Sequence, residues 1–444
     1  MIDGIMNTDI RPFAPEFEEY LRDESRRTGS AEQILFARNE EDISDALQAS
    51  LPLTIQGART GIAAGAVPNG GLILNLSRMN HVGGVEDGRI TVQPGALLAE
   101  IREKVKDAGL FFPPDPTETS ASIGGRLACN ASGAMSYHYG PTRKWVHALR
   151  VMLPDGDVVR VERGEKIDGL SFSLTTEGGN EISGTLPELK MPDVKSAAGY
   201  FITPNMDLVD LFIGMEGTLG IITEAELLLR PVPPVQQALC AFFPNEEAAL
   251  TFVRFLREDL SPVAIELFGH RALDLLRESD IDLPKFPDKA NTAIYFEFHG
   301  ENDEAIEEQV MAAAEKMVEL GADDDDCWMA DTPKEMDVHK AFRHATPEAV
   351  NLLIDRRKKT CPGLTKLGTD MSVPDEQLEA VMKLYRDDLA AAGLEYVIFG
   401  HVGNNHAHVN ILPRNMDELA QGKALYLKWA AEVVAMGGSV SAEH

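Results

Sequence analysis

The sequence predicts an α+β fold in two domains, residues 1–234 and 235–444, and three observations carry that reading. Short β-prone runs punctuated by glycine fill Leu53 to Pro94. The cluster Pro231, Pro233 and Pro234 interrupts regular structure and marks a boundary. Beyond it strand-like and helix-like pieces alternate: ALCAFF, EEAALTFVRFLRE, AIYFEFHG and DEAIEEQVMAAAEKMVEL. That rhythm predicts an antiparallel sheet with helices on one face.

Each element has its own signal. Residues Pro15 to Arg26 and Glu40 to Ala49 are predicted amphipathic helices, the second opening on an acidic first turn. LTIQG, LILNL and RITVQP are predicted strands. Ala96 to Ala108 returns to helix and stops at Gly109. Phe112 to Arg143 has no clear period and is rich in Gly, Ser, Thr and Pro; a segment of that length is usually functional. HALRVMLPDGDVVRVE reads as a hairpin turned by Pro154-Asp155-Gly156. Gly164 to Asp193 reads as a polar insertion, and regular structure resumes through GTLGIITEAELLLRP. The run Asp323 to Asp326 lacks the spacing and glycine of an EF-hand loop and is expected to be a solvated turn.

Composition narrows the function classes. The 444 residues hold 41 Lys+Arg against 71 Asp+Glu, a formal net charge of −30. Nucleic acid and anionic membrane surfaces both call for clustered basic residues, so neither is expected as a partner. Cys129, Cys240, Cys327 and Cys361 form no C-x-x-C pair, which excludes zinc ribbons and iron–sulfur clusters and points to free thiols of a reducing compartment. The start MIDGIMNTDIRPF has neither the basic nor the apolar stretch of a signal peptide, and no apolar run is long enough to span a bilayer. A cytoplasmic protein is expected.

Three glycine-bearing segments follow one another. QGARTGIAAGAVP comes directly after LPLTI, with Gly57, Gly61 and Gly65 evenly spaced. Glycine allows backbone N–H groups to approach an anion and form a concave nest. A wide turn is the ordinary reading of one such loop, and the pattern matches neither G-x-G-x-x-G nor a P-loop. PPDPTETSASIGGRLACNASG combines small residues with hydroxyls and an amide, suited to a large flat ligand with polar edges. GMEGTLGIITEAEL is the third.

Together these segments resemble the FAD-binding (PCMH-type, two α+β subdomains) domain of the vanillyl-alcohol-oxidase and para-cresol-methylhydroxylase superfamily. Within it they are most similar to the branch of D-lactate, glycolate and D-2-hydroxyglutarate dehydrogenases. The resemblance implies that Gly57, Ala58, Arg59, Thr60 and Gly61 cradle the FAD pyrophosphate. It implies that Pro114, Asp115, Ser122, Gly124, Gly125, Asn130, Ser132 and Gly133 line the isoalloxazine and ribityl chain. Glu216, Gly220 and Ile221 would close over the adenine side. Some relatives attach FAD through His or Cys; Pro52 to Pro68 contains neither, so dissociable flavin is expected, with His138 the nearest exception.

The run YVIFGHVGNNHAHVNILP places three histidines within eight residues. If its ends pair as a hairpin around VGNN, His401 lies opposite His406, and His406 and His408 share a face. Such imidazoles can converge on a divalent metal, whereas a lone His more often only hydrogen-bonds. The resemblance extends to the terminal MGGSVSAEH. It implies zinc or manganese on His401, His408 and Glu443, with His444 as catalytic base. His406, Asn404 and Asn405 depart from the family's common residues. The family pattern also continues past its Glu-His pair, so a carboxyl-terminal truncation is expected.

Oxidising a 2-hydroxy acid removes a hydride from C2 and a proton from the hydroxyl, which suits a metal and a histidine base. The substrate carboxylate needs a fixed cation. VHKAFRHATPEAV resembles the family's carboxylate-binding segment and nominates Arg343. Lys366, before LGTDMSVP, is the weaker nominee. The expected activity is an FAD-dependent D-2-hydroxy acid dehydrogenase, with D-lactate ahead of D-2-hydroxyglutarate and glycolate. Its electrons would pass to a quinone, cytochrome or electron-transfer flavoprotein, and a homodimer is allowed. The rivals are an oxygen-using oxidase, an oxidoreductase of phenols or sugar lactones, and a flavin-bearing subunit of a larger complex.

Overall fold

The computed structural model describes residues 9–114 and 118–444, so Asp115 lies outside the described residues. Three sheets organise the chain. A four-stranded sheet has the order Arg11–Pro12, Gln33–Phe36, Leu72–Asn75, Leu53–Gln56, and its last two neighbours run parallel. Helix Glu40–Gln48 packs on it through Ile43 and Ala46, and Asn39 caps the helix by accepting from the Asp42 N–H at 2.9 Å. A five-stranded antiparallel sheet follows, ordered Val82–Glu86, Arg89–Val92, Ile221–Leu228, Val146–Met152, Val158–Glu162. Its last two strands are the predicted hairpin.

The carboxyl-terminal half is built on a seven-stranded antiparallel sheet. From one edge the strands are Trp328–Ala330, Val235–Phe243, Thr292–Gly300, Ala264–Phe268, Tyr396–Gly400, His408–Ile411 and Leu367–Gly368. Helices cover both faces, which corrects the expectation of one. The alternation in Val235–Phe243 shows why. Leu239, Ala241 and Phe243 join the core under helices Glu246–Asp259, Asp303–Glu319, Leu378–Ala392 and Met416–Ala435. Ala238, Cys240 and Phe242 join a second core under helices His270–Arg277 and Pro333–Lys358. A strand apolar on both sides must be covered on both sides.

Other differences have local causes. Pro15–Leu21 is a 3-10 helix in which only Phe17 is buried, too little apolar surface to hold the longer α-helix predicted. The aperiodic stretch contains the helix Ile123–Ala128, hidden from a periodicity reading by Gly124 and Gly125. A Cβ on Gly124 would lie 2.6 Å from Pro94 Cβ and 2.9 Å from Pro94 O, so the helix start admits no side chain there. The polar insertion forms the antiparallel hairpin Ser171–Thr175 with Glu181–Thr185. Among the described residues no helix is long and apolar enough to cross a membrane.

Candidate active site

The three glycine segments converge around helix Ile123–Ala128. The Ala58 N–H donates to Ser122 Oγ at 3.1 Å, and a Cβ on Gly57 would strike that same oxygen. Glu216, with φ +51°, donates its N–H to Ala128 O at 2.9 Å, while its carboxylate lies 4.0 Å from the Cβ position of Gly65. The first and third segments therefore face each other across the second.

The N–H groups of Arg59, Thr60 and Gly61 donate to no acceptor among the described residues, and nothing lies within 4 Å of a Cβ built on Gly61. Unspent N–H groups beside open space suit a diphosphate. The Arg59 side chain is held elsewhere, paired with Glu19 at 3.1 Å and stacked over Tyr20.

Other predicted contacts have structural duties. Asn130 Oδ1 accepts from the Arg143 N–H, Gly133 N–H donates to Ser136 Oγ, and Pro114 O accepts from Arg102. Gly220 backs onto Val151 and Met152, and Ile221 opens the central strand beside Met152. Ser132 alone among them reaches the other half of the chain, donating to Glu443 Oε2 at 3.1 Å.

The histidine run closes as the spacing predicts. Phe399 pairs with His408, which sets His401 opposite His406. VGNN folds as a 3-10 turn over Val402–Asn404, closed by Asn405 at φ +52°. Asn405 is clamped between Arg257 and Asp375.

The two oxygens of buried Glu443 face different partners. Oε1 lies 3.2 Å from His401 Nε2, 3.7 Å from His408 Nε2 and 3.7 Å from His444 Nε2. Oε2 accepts from Ser132 and from Lys195 Nζ, the latter at 2.5 Å, and stands 4.0 Å from His406 Nδ1. Behind the first pole, His401 Nδ1 bonds Glu266 Oε1 at 2.7 Å and His408 Nδ1 bonds Thr369 O at 3.1 Å. With each Nδ1 engaged, both Nε2 atoms aim at one point.

A histidine anchored through its other nitrogen and aimed with a carboxylate oxygen is the arrangement of a metal ligand. The donor atoms of His401, His406, His408 and Glu443 lie within 4.8 Å of one another. The residues therefore fit a divalent ion. His406 belongs to the second pole, between Lys195 at 3.3 Å and Asp370.

The electrostatics follow from burial opposed by neighbours. Burial depresses the His401 imidazolium, yet Glu266 and Glu443 overcome it and raise its pKa to about 9. Burial, then Lys195, holds His406 near 4. Burial and the adjacent His406 push His408 well below its ordinary value. Burial would raise Glu443, but Lys195 and His401 hold it far below the carboxylate range. His444, also opposed by burial, is raised by Asp370.

Arg343 sits on helix Pro333–Lys358 with its guanidinium 5.1 Å from the Tyr295 ring, close enough to help lower the Glu266 pKa. Beneath it, Tyr295 donates to Glu297 at 2.6 Å, His299 bonds the same carboxylate at 2.8 Å, and Tyr139 bonds His299 at 2.7 Å. This chain runs from Arg343 towards the flavin-side segment that also carries His138. Lys366 does not join the site. It lies at the sheet edge, three residues or about 10 Å of extended chain from Thr369, and its charged neighbour is Arg26. The cation at the cluster is Lys195, which no local pattern announces. Glu266 is likewise unmarked in the sequence, and Asp370 stands in LGTDMSVP with no role of its own read there.

Comparison with known proteins gives the family and the fold. Residues 31–162 match the FAD binding domain family, and residues 232–444 match the C-terminal domain of FAD linked oxidases. The chain belongs to the FAD-linked oxidases. It is 29% identical to D-lactate dehydrogenase of Anaerostipes hadrus, across 96% of this chain and 84% of that protein. Glycolate oxidase subunit GlcD of Bacillus subtilis (strain 168) is 27% identical, across 93% and 80%. D-2-hydroxyglutarate dehydrogenase of Stutzerimonas stutzeri is 29% identical, across 88% and 76%. Among solved structures, an alkyldihydroxyacetonephosphate synthase aligns with a TM-score of 0.67 at 16% identity, covering 93% of this chain and 72% of that one. That match supports the fold.

Proposed function

We propose that this FAD-linked oxidoreductase oxidises a D-2-hydroxy acid, D-lactate first among candidates, to the 2-oxo acid. The observation that carries the reading is Glu443. One of its oxygens faces His401, His408 and His444, and the other is held by Ser132 of the flavin segment. When bound, FAD accepts the hydride from C2 and a divalent ion such as zinc or manganese acidifies the coordinated hydroxyl.

The chain's own residues do the rest. Arg343 receives the substrate carboxylate through its planar fork. His401, His408 and Glu443 hold the ion, with Glu266 and Thr369 O fixing the imidazoles. His444 Nε2 takes the hydroxyl proton as the C2–O bond becomes a carbonyl. Such a base contributes about a hundred- to ten-thousandfold.

The names of the relatives favour 2-hydroxy acids and leave D-2-hydroxyglutarate and glycolate as alternatives. The electron acceptor is proposed as a quinone, cytochrome or electron-transfer flavoprotein. The test is anaerobic titration of the yellow protein with D- and L-2-hydroxy acids, followed by flavin bleaching. Bleaching by one enantiomer of one acid supports the reading; no bleaching by any of them sinks it. Dye reduction without peroxide release separates a dehydrogenase from an oxidase. Turnover of the isolated chain separates both from a passive flavin subunit.

A further inference from the structure

We propose that Asp370 is the positioning residue that orients His444 and selects the tautomer in which Nε2 is free to accept a proton. The inference rests on the reading of His444 as base and adds a residue to it.

Asp370 precedes no motif and lies 74 positions from His444. Its Oδ2 accepts from the Ser441 hydroxyl at 3.1 Å, the Glu443 N–H at 3.2 Å and the His444 N–H at 2.9 Å. Its backbone carbonyl accepts from the Ala442 N–H at 2.7 Å. One residue thus gathers the backbone N–H groups of Ala442, Glu443 and His444. Two further bonds pair Ser372 with Ser439, so the segment is laid beside the stretch that carries Asp370.

Oδ1 faces the imidazoles of His444 and His406. It is 3.0 Å from His444 Nδ1 and 2.9 Å from His406 Nε2, as ion-pair contacts not aligned as hydrogen bonds. Catalytic contacts of that kind commonly tighten when substrate binds.

The donors then sort themselves. Lys195 Nζ carries only N–H donors, so His406 Nδ1, 3.3 Å away, accepts. His406 therefore keeps its proton on Nε2 and offers it to Asp370. His444 can reach Asp370 only through Nδ1, so its proton belongs there, and Nε2 is left facing Glu443 Oε1 and the ion-binding pole. A carboxylate holding one imidazole nitrogen so that the other can act is the general logic of an oriented base.

Asp370→Asn tests the idea with little change of volume. The Glu443 and His444 N–H groups fix which side of the amide can carry oxygen, so its NH2 must turn towards the imidazoles. His444 Nδ1 would then accept and the proton move to Nε2, the wrong nitrogen. Three measurements on the holoprotein follow, with FAD content checked by absorbance. In anaerobic stopped flow with D-lactate, Asp370→Asn should slow limiting flavin reduction by about a hundred- to ten-thousandfold with the substrate dissociation constant little changed. Asp370→Glu should recover part of that rate.

The double variant Asp370→Asn with His444→Gln should be no slower than His444→Gln alone, because residues acting as a unit are non-additive. Nitrogen NMR of histidine-labelled protein should find the neutral His444 proton on Nδ1 in the parent and on Nε2 in Asp370→Asn. Additive losses, loss of the bound divalent ion from Asp370→Asn, or a His444 proton already on Nε2 in the parent would each overturn the proposal. If no 2-hydroxy acid reduces the parent flavin, the proposed function falls by itself, and the NMR comparison still decides the role of Asp370.

Discussion

Replacing Lys195 with Met removes the lysine ammonium that bonds directly to Glu443. Its side chain is 6% exposed and that of Glu443 is 9% exposed, so the pair has almost no solvent to soften the loss. Three carboxylates largely withdrawn from solvent gather here, Glu266, Asp370 and Glu443, and without metal Lys195 and the raised imidazole of His401 offset their charge. Breaking one partner of a buried pair costs about 3–5 kcal/mol. Ser132 and His401 continue to contact Glu443, which argues for the lower end, about 3 kcal/mol or a hundredfold in the folding constant.

With a urea slope of about 3 kcal/mol/M, the midpoint in EDTA should fall by about 1 M. Fluorescence of Trp328 and Trp429 reports that transition, since both belong to the carboxyl-terminal half. A divalent ion restores the missing charge and no longer meets an ammonium. Zinc or manganese should therefore stabilise the variant more than the parent and narrow the gap. Equal midpoints in EDTA, or a gap indifferent to metal, would refute the charge accounting.

Four further outcomes follow. The His401 pKa is raised by Glu266 and Glu443 above the ordinary imidazole value, so its stabilising charge is complete below pH 6.5 and lost as pH rises through about 9. The urea midpoint of metal-free protein should fall across that window, and His401→Gln should flatten the fall. Gly124→Ala drives a Cβ into Pro94 and should yield protein depleted of FAD by absorbance, while Gly61→Ala, with open space around it, should cost FAD affinity only through lost approach to the ligand. Arg343→Gln should raise the substrate dissociation constant about ten- to hundredfold, the worth of a charge-assisted hydrogen bond of 1.5–3 kcal/mol, with FAD retained. Lys366→Met should change flavin reduction less than about twofold, because the side chain stands at the sheet edge beside Arg26.

How far the site could be read from sequence depended on distance along the chain. His401, His406 and His408 were legible because a hairpin converts short spacing into position, and Phe399 paired with His408 is the register that spacing predicts. The glycine segments were legible because nest-forming backbone needs small residues in runs. Lys195 and Asp370 were not: each is a single residue brought to Glu443 or His444 by contacts 248 and 74 positions apart. Lys366, the weaker nominee before LGTDMSVP, shows the opposite effect, since the four positions that separate it from Asp370 carry it along an extended sheet edge. Helices on both faces of the large sheet escaped notice because strands such as Thr292–Gly300 are apolar on both sides and read as continuous runs.

The grip on Glu443 has a consequence for building chimaeras. Its carboxylate is supplied by the segment that matches the C-terminal domain yet seated by Ser132 and Lys195, which precede that domain in the chain, and Ser196 and Ala197 fasten Ser439 and Ser441 of the same terminal segment. A cap transplanted from a relative with a different specificity would arrive without its own seat. The unit of exchange is therefore the cap together with residues 132 and 195–197.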